Sequence, residues 1–155
     1  MKSLISILAF FSFILWWGGF TFYAAFVIPT GQKVLGDHVL MGFITEQVAY
    51  KINITALVAC LLSFTNEWIR SGEKISQMQR YAWICLTLML LLIIASFILY
   101  PHLQALLNHE TRQETDHAQF YFLHRIYLLL ATALWINAII YILYSCKEIF
   151  SYKGK

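Results

Sequence analysis

Apolar residues come along this chain in four long runs rather than in the alternation of a strand or the narrow stripe of a soluble helix. The first extends from about Leu4 to Pro29, the second from about Thr45 to Asn66, the third from Tyr81 to Tyr100, and the fourth from about Gln119 to Cys146. A helix rising 1.5 Å per residue needs roughly 20 residues to cross about 30 Å of hydrocarbon. Each run meets that length. Because lipid offers the backbone no hydrogen-bond partner, each is predicted to be a helix. The connections Thr30–Ile44, Glu67–Arg80 and Pro101–Ala118 are short, so successive helices are expected to be antiparallel and adjacent. The expected fold is an all-α membrane protein, an up-down-up-down bundle of four transmembrane helices (4–29, 45–66, 81–100 and 119–146) forming a single domain, 1–155.

Composition supports this reading. Of the 155 residues 60% are hydrophobic and only 12% charged, with a mean hydropathy of +0.66, which is outside the range of soluble domains. A net charge of +3 carried by dispersed residues gives no basic stripe for nucleic acid. The expected partners are instead the lipid bilayer and other membrane proteins. Cys60, Cys85 and Cys146 are odd in number and lack CxxC spacing, so they read as small buried thiols and not as a disulfide framework. The first run begins behind Lys2 like a signal peptide, but continues through Trp16-Trp17-Gly18-Gly19 past the length of a cleaved segment. It is expected to be retained.

Lys and Arg report orientation. Lys2, Arg70, Lys74, Arg80, Lys147, Lys153 and Lys155 gather at one side, against Lys33, Lys51, Arg112 and Arg125 at the other. The richer side is expected to be cytoplasmic and to carry both termini, with a bacterial inner membrane as the setting. Within the first run, Gly18, Thr21 and Ala25 share a helix face, and membrane helices approach closely at small residues. That face is expected to contact the bundle. Trp16, Trp17, Trp68 and Trp83 are expected to serve mostly as interface anchors and packing.

Several apparent motifs carry no chemistry. Gly31 and Gly36 are followed by Asp37-His38 where a phosphate loop needs Lys-Ser/Thr, and the sequon Asn53-Ile54-Thr55 lies within a span. More informative is a polar layer near the outer helix ends. Lys51 falls about six residues into the second helix, His124 and Arg125 about as far into the fourth, His102 ends the third, and Glu46 and Tyr23 fall at similar levels. Ionisable residues in spans are costly and usually face the bundle or a wet cavity. Lys51 and Arg125 either snorkel to lipid phosphates or, with Glu46, Tyr23, His102 and His124, line an outward pocket for a small anionic or metal-bearing ligand. The loop from His109 to His117 gathers histidines and carboxylates, so His109, Asp116 and His117 are candidate ligands for a divalent metal, or part of an ordinary solvated loop.

At Trp17-x-Gly19-x-x-Phe22-Tyr23-x-x-x-Val27-x-Pro29 and at Phe120-x-x-x-His124 the chain resembles small four-helix membrane proteins of the transmembrane-protein-205-like kind. More distantly it resembles copper-resistance-D-like proteins and the haem-containing membrane protoporphyrinogen oxidases. The resemblance implies the four-helix fold and a ligand role for His124. It departs from the oxidase-like members in having no histidine in the first helix. Three functions follow as expectations. The first is a non-catalytic protein whose outward-facing pocket serves a respiratory or metal-handling system. The second is a haem-b redox enzyme or electron carrier using His102 and His124 as axial ligands. The third is a structural subunit of a larger membrane complex.

The basic-residue asymmetry makes a direct prediction. Reporters fused after Lys155 and inserted near Gly72 should read cytoplasmic, and one near Glu114 external; the inverse pattern would overturn the orientation.

Overall fold

The computed structural model describes residues 2–71, 75–108 and 113–152, with side chains at 4–37, 40–71, 75–108 and 113–145. Helix α1 (Lys2–Phe22) passes through a π-helical turn (Tyr23–Val27) into α2 (Ile28–Leu35), and α3 (His38–Arg70), α4 (Gln77–Gln104) and α5 (His117–Tyr152) follow. Four stretches, Leu4–Leu35, Leu40–Arg70, Gln77–Gln104 and His117–Ser145, are long and apolar enough to cross a membrane. They form the all-α four-helix bundle that the apolar runs predict. A short antiparallel hairpin between α4 and α5, β1 (Leu107–Asn108) and β2 (Gln113–Glu114), pairs Leu107 with Glu114.

The helices outrun the apolar runs because a helix can continue past the hydrocarbon as long as its polar turns reach water or protein. The connection expected over Thr30–Ile44 shrinks to Gly36 and Asp37. Gly36 adopts φ 65°, a left-handed conformation that suits glycine, and its N–H donates to the Gln32 carbonyl at 3.0 Å to close α2. The π-helical turn has a cause in Pro29. A proline ring crowds the carbonyl four residues back and supplies no N–H; at the residue just before it, the Ile28 N–H reaches the Tyr23 carbonyl, five residues away. At the opposite end Ser76 and Gln79 form a reciprocal capping box that starts α4.

The core is organised by one face of α3. Glu46, Ala49, Asn53, Ala56, Cys60, Ser63 and Glu67 recur at helical spacing and are all buried. Their small side chains receive Leu86, Met89 and Ile93 of α4, and Phe13 and Trp16 of α1 complete the cluster with Leu134, Ala138 and Tyr141 of α5. Trp16 is thus a core residue, 2% exposed, and not an interface anchor.

The small-residue face of α1 meets the bundle at Thr21 but not through close backbone approach. A Cβ built on Gly18 would meet nothing within 4 Å, and Ala25 is exposed. Large side chains join α1 to α5 instead: Trp17 stacks on Trp135 at 5.8 Å, Phe13 meets Tyr141 at 5.3 Å, and Trp135 Nε1 donates to Thr21 Oγ1 at 2.8 Å. Rings of that size hold the two backbones apart.

Polar clasps fix the remaining pairs. Asn137 Nδ2 donates to the Cys85 carbonyl at 2.8 Å, tying α5 to α4, and the Tyr141 hydroxyl reaches Glu67 Oε1 at 3.4 Å, tying α5 to α3. Arg70 pairs with the same Glu67 oxygen at 3.3 Å. Interhelical hydrogen bonds in membranes contribute about 1 kcal/mol. Asn137→Ala should therefore lower stability by about that amount in reversible unfolding with denaturing detergent; an unchanged midpoint would show that the Asn137 clasp contributes nothing.

Candidate functional site

The end of the bundle opposite the chain termini is hollow. A cavity of about 220 Å³ lies among α2, the first turns of α3, the last turns of α4 with the hairpin residue Leu107, and the start of α5. Glu46, Tyr100, His124, Tyr127, Thr45 and Gln32 supply its polar lining, and Ile28, Met41, Leu103, Leu107, Phe120 and Leu128 most of its apolar wall. A second cavity of about 160 Å³ continues toward the middle of the bundle, past Trp16, Tyr23, Asn53, Ser96 and Leu134. Ile28, Thr45, Ala49, Tyr127 and Leu128 line both. The two are neighbouring parts of one hollow.

Local folding explains how these groups arrive there. Tyr23 opens the π turn, and its hydroxyl donates to Thr45 Oγ1 at 3.2 Å while Thr45 donates to the Met41 carbonyl at 2.9 Å. Asn53 Nδ2 donates to the Tyr127 hydroxyl at 3.1 Å, and the Tyr100 hydroxyl approaches the Glu46 carbonyl at 3.4 Å. His124 stacks on Phe120, one turn earlier, at 5.7 Å and 12°. Its ring nitrogens have no hydrogen-bond partner among the described residues. Glu46 is 8% exposed, so its carboxylate lies in the pocket wall and not in water.

The polar layer expected from the sequence is only partly assembled. Glu46 and His124 line the upper cavity and Tyr23 the lower one. Lys51, His102 and Arg125 are exposed and line neither. Helix geometry accounts for each departure, since successive residues turn by about 100°. Arg125 is turned by that angle from His124, Lys51 by about twice that from Ala49, and His102 by about twice that from Tyr100. Lys51 and Arg125 are therefore outside the cavity walls, as the snorkelling alternative requires, and His102 does not face the pocket beside His124.

Two of the candidate metal ligands have other partners. Asp116 caps α5 by accepting from the Gln119 N–H at 3.0 Å, and His117 Nδ1 lies 2.6 Å from Glu114 Oε1. His109 lies outside the described residues. Among the described residues no three histidine, cysteine or carboxylate side chains gather to hold a metal ion.

Sequence reasoning missed Tyr100 and Tyr127, which complete the lining, the Glu67–Tyr141 contact and the Asn137 clasp. A signal existed for Glu67. Stepping from Glu46 by three and four residues leads through Asn53 and Ser63 to Glu67, which the apolar run placed in a connection.

The hairpin covers the upper cavity. Leu107 is buried in its wall, and Thr115 N–H donates to the Leu106 carbonyl at 2.9 Å. The Glu114–His117 pair ties β2 to the start of α5, and the hydrogen bond from His117 holds the Glu114 carboxyl below its usual value. A carboxylate whose folded-state pKa is depressed contributes stability above its unfolded pKa and loses it as pH falls through the folded value. Exchange of the Thr115 amide should therefore quicken on acidification through the carboxylate range, beyond the intrinsic pH dependence of exchange. Glu114→Gln should show that protection loss already at neutral pH; equal protection in both proteins would mean that the pair does not hold the hairpin.

Compared with protein-family models, with curated proteins and with solved structures, the chain finds no match.

Proposed function

We propose that this chain is a non-catalytic integral membrane protein that binds a small lipid-soluble molecule in the hollow at the loop end of its bundle. The carrying observation is that hollow itself. Membrane helix bundles are held by close packing, yet here two adjoining cavities separate the helices at the end of the bundle that holds Glu46, Tyr100, His124 and Tyr127. Mostly apolar walls with a few convergent polar groups are the usual make-up of a small-molecule site.

The cations that suggested an anionic ligand are outside the hollow, while a carboxylate lines it. That distribution favours an uncharged or cationic ligand over an anion. A haem-b reading draws support only from His124 and from the resemblance at Phe120 and His124, because His102 is exposed away from the cavity. The proposed setting is a bacterial inner membrane with both termini cytoplasmic, which the asymmetry of Lys and Arg supports. The hollow would then open toward the outer face.

Ala49 is the small residue between the two cavities. Ala49→Trp should fill them while leaving the Leu86, Met89 and Ile93 core intact. Native mass spectrometry of wild-type protein released from mild detergent should show an adduct of one small molecule per chain, which the variant loses with its helical circular dichroism unchanged. Wild-type protein that carries no such molecule, or an adduct that survives the substitution, would overturn the reading.

A further inference from the structure

We infer that the ligand of this hollow is a quinone: an uncharged amphiphile whose flat ring bears two hydrogen-bond-accepting carbonyls and whose tail is hydrocarbon. The inference rests on the pocket reading above and specifies the chemistry of its occupant.

Hydrogen-bond donors decide the head group. A neutral imidazole always offers one N–H, and His124 has no partner for it among the described residues. The Tyr127 oxygen already accepts from Asn53 Nδ2, which leaves its own proton to donate to a second partner. Both side chains line the upper cavity. An occupant with two acceptor oxygens would satisfy both donors, whereas water there would have to be held against mostly apolar walls.

Charge excludes the other heads. An anion would meet Glu46 with Lys51 and Arg125 out of reach, and bringing it into such a wall without a counter-ion is costly. A cation would have to compete for Glu46, which has a further interaction within the protein. The uncharged acceptor remains.

Shape points to a ring. Phe120 and His124 lie nearly parallel, and Tyr100 and Tyr127 add two more aromatic faces to the same cavity. A flat ring can stack on such walls; a branched ester head cannot. The lower cavity suits the apolar remainder of the molecule because most of its polar groups are engaged within the protein: Tyr23 with Thr45, Asn53 with the Tyr127 oxygen, Ser96 with the Leu92 carbonyl at 2.9 Å and Thr132 with the Leu128 carbonyl at 2.8 Å, which leaves the indole N–H of Trp16. Trp16 lines that cavity and reports on its contents.

The test titrates decyl-benzoquinone into the full chain in lipid nanodiscs and reads saturable quenching of tryptophan fluorescence, using Trp16→Phe to isolate the signal of that residue. We expect saturation at one quinone per chain. His124→Leu and Tyr127→Phe should each weaken binding roughly fivefold to tenfold, as loss of one hydrogen bond implies, and Arg125→Gln should leave it unchanged. Decyl acetate, a carbonyl acceptor without a ring, and decylamine, a cation, should displace the quinone at least roughly tenfold less well than an unlabelled quinone does. Equal displacement by either would overturn the quinone assignment and leave the pocket reading standing. So would an absence of saturable quenching while Ala49→Trp still strips a co-purifying molecule. If no quinone binds and nothing co-purifies, both fall together.

Discussion

A membrane bundle cannot use water to drive its helices together, so the fold depends on surfaces where they can approach closely, and the buried face of α3 is the one that receives both α1 and α4. That face alternates small and polar residues from Glu46 to Glu67, twenty-one positions apart. At 1.5 Å per residue the two carboxylates are about 31 Å from one another along the axis, close to the thickness of the hydrocarbon. Ala56, Ala59 and Cys60 at its centre are fully buried against Leu86, Met89 and Ile93. The polar residues fall toward the ends, where buried partners or interfacial water can satisfy them.

The two ends of the face are used differently. Near the termini, Glu67 is enclosed by the Tyr141 hydroxyl and the Arg70 guanidinium, and a carboxylate so held closes the bundle. Near the loops, Glu46 faces a hollow instead. Pro29 contributes to this difference: its missing N–H and bulky ring favour the π turn, which brings Tyr23 inward and leads into α2 along the cavity. At Gly31 an added Cβ would lie 2.5 Å from the Met41 sulfur, so the missing side chain leaves the room that the Met41 thioether occupies between α2 and α3 at the cavity rim.

The ligand reading follows from that asymmetry. A bundle packed closely around Ala56, Cys60, Leu86 and Met89, yet whose loop end keeps space beside an imidazole with no hydrogen-bond partner among the described residues, has arranged donors around an opening. Both cations that attract attention in the sequence sit on the exposed side of the same helices, outside the cavities. Their long stems can run along the hydrocarbon to the headgroups, which explains their presence without any ligand.

The sequence alone determined the number of helices and the all-α bundle, because hydrocarbon thickness and the need to satisfy the backbone act on composition directly, without reference to any partner. It also determined that Glu46 and His124 would stand at one end, since depth along a helix is a matter of counting. Facing is a different quantity. A single residue turns a side chain by about 100°, so an error in where a helix begins, or the extra residue of a π turn, leaves depth nearly unchanged while exchanging a pocket residue for a lipid-facing one. For that reason His124 and its neighbour Arg125 shared a level in the sequence and parted in the structure. Tyr100 and Tyr127 entered the site only when α4 and α5 were set against α3, and the choice between close backbone approach at Gly18 and the stacked rings of Trp17 and Trp135 was made by tertiary packing, where the larger contact took precedence.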